Sequence, residues 1–322
     1  MTDLARQGEA AGFASMYTVE AGRSALVSAA AVIGATERVA VGTYIVNAYA
    51  REPWATGIAA RDLDEMSDGR FVLGIGTGNR HFNEWYLGRD TARPVAKLRD
   101  YIEIVRSMVA APAGGPVRHD GDEHRIRWRA SYAPARPAIP VLLSASGPQL
   151  VRLAGEVSDG VATGIMSSTT FLRDIVRPAA RAAATGAGRD PDALSFPMGA
   201  QISINTDEEL ARRATRAAIC GLFHPVPHPD YESQLRQLGF GSFADAAMRL
   251  MPDGRTGEAM DLVPDEVVDT MTITGTPAQC AARIADYEGL ADEVILFRIP
   301  QVGDPSGPAA SQDLMELAGL VG

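Results

Sequence analysis

Apolar positions along the chain follow two spacings, one typical of buried strands and one typical of helices. Short runs rich in β-branched and aromatic residues, closed by glycine-containing or polar turns, predict seven buried strands. They cover residues 13–19, 39–46, 71–76, 141–145, 160–163, 196–204 and 293–299. Helical spacing predicts helices at 1–12, 24–36, 52–66, 93–109, 149–156, 169–185, 207–221 and 277–288. Continuous apolar strands that alternate with helices predict an α/β chain with a parallel sheet covered by helices.

Two stretches interrupt this alternation. Residues 114–132 carry Gly121-Asp122 between two β-like segments, which predicts a hairpin insertion. Residues 225–264 contain several prolines and glycines that break short helices, and an insertion of this kind often forms a lid or a substrate wall. Because the sequence shows neither a flexible linker nor a repeat, we expect a single domain over residues 1–322.

The predicted elements fit a (β/α)-barrel except at the N-terminus. A closed barrel of this type has eight strands, each preceding its helix, whereas this chain begins with a predicted helix. We therefore expect a barrel that lacks its first strand in the chain as given, with the gap filled by residues upstream or in another way. Unpaired strand edges at such a gap are costly.

Composition and charge narrow the class of protein. The chain has 322 residues, a formal net charge of -10 and scattered basic residues, so we expect no nucleic-acid partner. The N-terminus lacks a signal-peptide pattern, and no apolar run reaches the roughly 18 residues of a membrane span, which favours a cytoplasmic protein. Only Cys220 and Cys280 are cysteines, and we expect both to be buried structural residues. Hydrolase, nucleotide-triphosphatase and Rossmann motifs are absent from the sequence.

The strongest local signal is the strand that ends in Gly76-Thr77-Gly78-Asn79. Bare amides and a hydroxyl at the carboxyl end of a barrel strand can hold a phosphate or a carboxylate. The same glycines also suit a tight turn with no ligand, and the motif alone leaves both interpretations open.

Taken together, four segments in order resemble the bacterial luciferase-like superfamily, in particular its deazaflavin F420-dependent branch near methylene-tetrahydromethanopterin reductase. The resemblance covers nearly the whole chain and rests on residues 9–21, 36–53, 67–79 and 144–160. It implies a (β/α)8 barrel of the luciferase-like type, an oxidoreductase activity, a small-molecule substrate and a homodimer.

The resemblance also implies a cofactor site at the barrel mouth. The non-prolyl cis peptide that backs the ring in the family matches Tyr44-Ile45, and Asn47 matches a residue that hydrogen-bonds the ring. Gly76, Thr77, Gly78, Asn79 and Asn83 match the loop beside the ring. The amides that take the cofactor phosphate match Ser146 and Gly147, just before a helix that starts with Pro148 and Gln149.

Glu20 and Asn79 depart from the sugar-phosphate dehydrogenases of this family. Glu20 stands where many relatives have Asp followed by His, and here Ala21 follows it, while Asn79 replaces a glutamate that acts as an acid. These losses argue against glucose-6-phosphate chemistry. We expect Glu20 to contact the cofactor and consider it for proton transfer.

The remaining histidines carry weaker expectations. His81 is a candidate for substrate contact, whereas His119 and His124 in the hairpin are expected at the surface. His224 and His228 lie in a proline-braced loop without ligand spacing, so we expect no metal there.

Three functions remain open from the sequence. The favoured one is an F420-dependent oxidoreductase that transfers a hydride between the deazaflavin and a small organic substrate. The second is an FMN-dependent luciferase-like monooxygenase that uses reduced flavin and oxygen. The third is a non-catalytic barrel that has lost cofactor binding.

Overall fold

The computed structural model describes residues 1–223, 229–301, 304 and 311–321. Residues 225–228, which begin the predicted insertion, lie outside this range, as do His224 and His228. Contacts divide the chain into two compact units, one comprising residues 1–162 and 176–195 and the other residues 163–175 and 196–322. The expectation of a single domain therefore stays a prediction, and each unit is described by itself.

The first unit contains a parallel sheet and an antiparallel hairpin. Its strands are β1 (Ser15–Thr18), β2 (Ala40–Thr43), β3 (Val46–Asn47), β4 (Phe71–Gly76), β5 (Pro116–Asp120), β6 (Arg125–Arg129), β7 (Val141–Ser144) and β8 (Gly160–Ala162). The parallel sheet has the order β1-β2-β4-β7-β8, and the short β3 also pairs with β4. The β5–β6 pair is the predicted hairpin, with Val117 opposite Trp128.

The described residues form fourteen α-helices. They are α1 (Thr2–Ala10), α2 (Ala25–Ile33), α3 (Pro53–Met66), α4 (Pro94–Ala110), α5 (Pro148–Val157), α6 (Thr169–Phe171), α7 (Arg177–Gly186), α8 (Glu208–Gly221), α9 (Pro229–Gln237), α10 (Gly241–Leu250), α11 (Thr256–Asp261), α12 (Asp265–Met271), α13 (Pro277–Ala285) and α14 (Gln312–Val321). Two π-helical turns occur at Phe82–Tyr86 and Leu172–Val176.

Local sequence explains where several helices begin. The Ser24 side chain accepts a hydrogen bond from the Val27 amide at the start of α2. Thr276 and Gln279 form a capping box at the start of α13. These side chains satisfy amide groups that the first turn of a helix leaves without an intrahelical partner, so they fix the boundaries that the sequence predicts.

The core of the first unit lies between the sheet and its helices. Phe71, Leu73 and Ile75 of β4 are fully buried, as are Leu98 and Ile102 of α4. A strand buried in this way belongs to the middle of a parallel sheet covered by helices. The carboxyl ends of β1, β2, β4 and β7 therefore lie side by side at one edge of the sheet.

The second unit contains a three-stranded parallel sheet in the order β10-β9-β11, formed by β9 (Pro197–Ile204), β10 (Thr272–Gly275) and β11 (Glu293–Arg298). Helices α9 to α12 fall within or beside the predicted insertion, and they contribute to a buried apolar cluster that includes Phe223 and Leu235. Both cysteines are buried free thiols, as expected. Burial raises the pKa of Cys220 to about 11 and that of Cys280 to about 12.

The parallel α/β architecture predicted from the sequence is confirmed, and the seven predicted strands all form. The missed elements include β10, α12, α14 and the π-helical turn Phe82–Tyr86. Within the described residues α1 precedes β1, in agreement with the predicted order of the first elements. No helix in the described part of the chain is long and apolar enough to cross a membrane.

Candidate functional site at the carboxyl edge of the sheet

The residues that the sequence assigns to the cofactor follow the carboxyl ends of neighbouring strands. Glu20 comes after β1, Asn47 ends β3, Gly76 ends β4, and Ser146 follows β7. The register places Ile75 beside Leu143, and a Cβ on Gly76 would lie 3.0 Å from the Ser144 Cβ. The glycine-containing loop and the Ser146–Gly147 segment therefore lie at the same edge of the sheet, where parallel α/β folds place their ligands.

The peptide bond between Tyr44 and Ile45 is cis, as the family resemblance implied. It lies between β2 and β3, and the two strands pair with successive parts of β4. Tyr44 is buried and packs edge-on against Tyr17. Ile45 is half-buried and lies against the position where a Cβ of Gly76 would be.

Glu20 holds two segments together through its carboxylate. One oxygen accepts a hydrogen bond of 2.9 Å from the backbone amide of Asn47, and the other lies 2.6 Å from an Arg51 side-chain nitrogen. Arg51 also donates to the Ser24 hydroxyl at 2.9 Å. The Glu20 side chain is 15% exposed, so this pair is only partly solvated. The geometry gives Glu20 a clear role in positioning β3, and both its predicted contact with the cofactor and its proton transfer stay predictions.

Asn47 and Asn83 form a buried amide pair. The Asn47 side-chain nitrogen donates to the Asn83 side-chain oxygen at 2.7 Å, and the Asn83 nitrogen donates to the Thr77 carbonyl at 2.7 Å. The Asn47 oxygen accepts from the Tyr49 amide at 2.9 Å. This network ties β3 to the loop after β4. Asn83 is fully buried, which suits a residue that shapes the loop.

The loop after β4 turns at Gly78, which has a φ of +64°. A Cβ at this position would lie 2.7 Å from the Asn47 side-chain nitrogen. Thr77 is half-buried and Asn79 is exposed. The Asn79 side chain accepts a hydrogen bond of 3.0 Å from the Phe82 amide and so starts the π-helical turn.

The amino end of α5 lies beside this loop and has no side-chain cap. Ser146 and Gly147 are half-buried, and Pro148 and Gln149 in the first turn are exposed. A Cβ on Gly147 would meet no atom within 4 Å, so space is open in front of these amides. Uncapped amides at a helix start, together with the positive end of the helix dipole, suit an anion.

Gln149 also lines a cavity of about 610 Å³ in the first unit. Its other walls are the beginning of α4 and the turn of the hairpin. The cavity places Gln149 on the hairpin side of α5. Its predicted contact with the cofactor stays a prediction.

Two residues near the edge, Arg51 and Tyr49, were missed from sequence. Arg51 was not assigned a role, although it balances the charge of Glu20. Tyr49 is buried without a partner for its hydroxyl among the described residues, and burial raises its pKa to about 12. The His81 ring lies against the Trp85 ring, with 5.1 Å between the ring centroids and 48° between the ring planes, and its substrate contact stays a prediction.

The expectation for the hairpin histidines was wrong. The side chains of His119 and His124 are only 15% and 9% exposed. The hairpin packs against α4, and this packing covers both rings.

This fold and this strand-edge site define the class of protein as a luciferase-like oxidoreductase. The chain belongs to the luciferase-like monooxygenase family, whose profile matches residues 1–293. Among its relatives, 5,10-methylenetetrahydromethanopterin reductase of Archaeoglobus fulgidus is 27% identical over 277 residues, which cover 85% of this chain and 79% of the relative.

Solved structures share the fold. The coenzyme F420-dependent tetrahydromethanopterin reductase of Methanopyrus kandleri matches with a TM-score of 0.79 and 23% identity, covering 99% of this chain and 92% of that one. A monooxygenase from Streptomyces bottropensis matches with a TM-score of 0.69 and 20% identity, covering 98% and 90%. The expected (β/α)-barrel fold class of the luciferase-like type is thereby confirmed.

Proposed function

We propose that the chain is an F420-dependent oxidoreductase that transfers a hydride between the deazaflavin and a small organic substrate. The observation that carries the proposal is the adjacency of two features at one sheet edge. One is the glycine-containing loop Gly76–Asn79 with its Asn47–Asn83 support, and the other is the uncapped amino end of α5. The reductase relatives named above supply the choice of cofactor.

The residues present fit such a cofactor. Gly76 and Gly78 let the loop pack tightly, because a Cβ on Gly76 would lie 3.0 Å from the Ser144 Cβ and one on Gly78 2.7 Å from the Asn47 side-chain nitrogen. The loop backbone is thereby held at the sheet edge, where we propose that the ring lies. The open amides at Ser146 and Gly147 suit a phosphate. When bound, reduced F420 supplies the hydride, and the protein orients the reacting partners and excludes water.

Within this proposal the chain's own side chains mainly bind and position. Glu20 holds the backbone amide of Asn47 and the Arg51 side chain in place through its carboxylate. The hydrogen bond between the Asn47 and Asn83 side chains holds the loop after β4. Because the Glu20 carboxylate is already paired with Arg51, its positioning role is better supported than proton transfer. We propose that Asn79, which is exposed, contacts the cofactor and that His81, which is half-buried, contacts the substrate.

The test is an equilibrium titration of the protein with F420 and, separately, with FMN, followed by cofactor fluorescence. The proposal expects saturable F420 binding that Gly147→Asp weakens, because a carboxylate would then stand before the α5 amides. The matched control is Gly186→Asp at the end of α7, where a Cβ also meets no atom within 4 Å.

The other outcomes of this titration point to the alternatives. Saturable FMN binding without F420 binding would support a flavin-dependent monooxygenase. The similarity to the Streptomyces bottropensis monooxygenase and the description of the family are the reasons to keep this alternative. Binding of neither cofactor would support a barrel that has lost cofactor binding. A homodimer and a cytoplasmic location stay predictions.

A further inference from the structure

Three metal-ligating side chains lie together in the first unit, between α4 and the hairpin. Asp100 and Glu103 are one turn apart on α4, and His119 reaches them from β5. One ligand atom from each lies within 4.8 Å of the other two. The shortest distances are 3.2 Å from His119 Nε2 to an Asp100 oxygen and 3.9 Å from His119 Nδ1 to a Glu103 oxygen.

The two oxygens of Asp100 have different tasks. Oδ2 accepts hydrogen bonds from the Glu123 and His124 amides at 2.7 and 3.0 Å, which closes the hairpin turn. Oδ1 is the oxygen that faces His119. Asp100 therefore has a structural contact on one side and an oxygen directed into the cluster on the other.

The His119 ring has a nitrogen that lacks a hydrogen bond. Its Nε2 is buried, yet it makes no hydrogen bond of acceptable geometry within the described residues. The 3.2 Å approach to Asp100 thus lacks the alignment of an N–H···O bond. A buried ring nitrogen in this state costs free energy, and a cation placed between it and the carboxylates would satisfy it.

The surrounding charges leave the cluster negative. In the described part of the chain, neither Asp100 nor Glu103 has an arginine or lysine nitrogen within 4.0 Å. The nearby Arg93 pairs with Asp122 and Glu123, and Arg99 pairs with Glu156.

We propose that Asp100, Glu103 and His119 form a binding site for a divalent transition-metal cation such as Zn²⁺. One imidazole and two carboxylates make a donor set that such ions accept, with water completing the coordination. All three ligands line the cavity of about 610 Å³, so an ion can enter from solvent. The ion links the hairpin to α4 and stabilises the hairpin insertion.

The test uses untagged, chelator-treated protein and Co²⁺ as a coloured probe. Wild-type protein is expected to bind one Co²⁺ per chain with visible absorption bands that Zn²⁺ abolishes, and Zn²⁺ is expected to raise its melting temperature. His119→Asn and Glu103→Gln each remove one ligand. Because loss of even an outer-shell partner weakens metal sites about 10- to 100-fold, each variant should bind at least about tenfold more weakly.

His124→Gln is the matched control, because its ring lies on the same hairpin outside the ligand set. It should keep the Co²⁺ bands. Glu103 is 44% exposed, so Glu103→Gln should fold even if variants at buried positions do not. Absence of Co²⁺ binding by wild-type protein, or equal binding by wild type and His119→Asn, would overturn the proposal. Neither result bears on cofactor binding.

Discussion

Replacing Gly78 with alanine tests whether the loop after β4 is held by close contact with Asn47. The new Cβ would lie 2.7 Å from the Asn47 side-chain nitrogen, closer than real Cβ contacts occur. Gly78 also has a φ of +64°, where an L-residue is strained. The substitution therefore combines two costs, one from the backbone and one from the contact.

Gly88 separates these costs. It has nearly the same φ, +61°, but a Cβ there would meet no atom within 4 Å. Backbone strain alone should cost Gly88→Ala about 1–2 kcal/mol of unfolding free energy. Crowding in a packed site adds about 1–3 kcal/mol. Gly78→Ala should therefore lose about 2–5 kcal/mol, because both costs apply.

The assay is urea unfolding of both variants, together with F420 titration. We expect Gly78→Ala to be the less stable of the two and to bind F420 at least about tenfold more weakly, which corresponds to about 1.4 kcal/mol. Gly88→Ala should bind F420 like wild type. The double variant Gly78→Ala/Asn47→Ala lacks the Asn47 side-chain amide that the new Cβ would crowd. Its loss of unfolding free energy should therefore be smaller than the sum of the losses in the two single variants. Equal stabilities of the two glycine variants, or strictly additive losses, would refute the reasoning.

Glu20→Gln should lower the unfolding free energy by about 1–2 kcal/mol, because Arg51 loses a partly buried partner. The kcat of this variant should stay within about tenfold of wild type, whereas a 100-fold loss of kcat would reveal proton transfer by Glu20. Burial and then the Lys97 charge lower the pKa of His124 from 6.5, so the folded state favours the neutral ring. The stability from this residue is present above pH 6.5 and decreases as pH falls below that value. Urea unfolding at pH 8 and pH 5.5 should therefore show a larger loss for wild type than for His124→Gln, and equal losses would contradict this. Arg61→Met should cost about 3 kcal/mol or more in the same assay, because Arg61 is 1% exposed and donates to three backbone carbonyls, whereas a loss under 1 kcal/mol would refute this role.

Local patterns were sufficient for most of the fold. β4 forms with the predicted bounds, because an apolar run closed by glycines is strongly constrained on both faces. The hairpin at 114–132 also forms where the Gly121-Asp122 turn predicts it. In these places the local preference of the sequence and the tertiary fold agree.

β10 was missed because its four residues lie directly between two helices. The segment Thr272–Gly275 is too short for a periodicity signal, and its strand state depends on pairing with Gln201–Ile204. That partner is some 70 residues away in the chain, and local sequence carries no signal of it. Tertiary pairing, rather than local propensity, decides this element.

In the candidate site, too, tertiary contacts rather than local sequence decide the features that were hard to predict. The cis bond at Tyr44–Ile45 was predictable only through the family resemblance, because nothing in the local sequence distinguishes it. The Glu20–Arg51 pair joins residues 31 apart and depends on the approach of two strand ends. His119 and His124 were expected at the surface because a hairpin in isolation is solvated, and its packing on α4 reverses that expectation.

Hydrogen–deuterium exchange with and without saturating F420 tests most directly whether both parts of the strand-edge site hold one cofactor. The account predicts slower exchange in two sets of peptides, those covering residues 44–49 and 74–83 and those covering residues 144–150. Protection confined to one set, or exchange unchanged in both while F420 is bound, would contradict it.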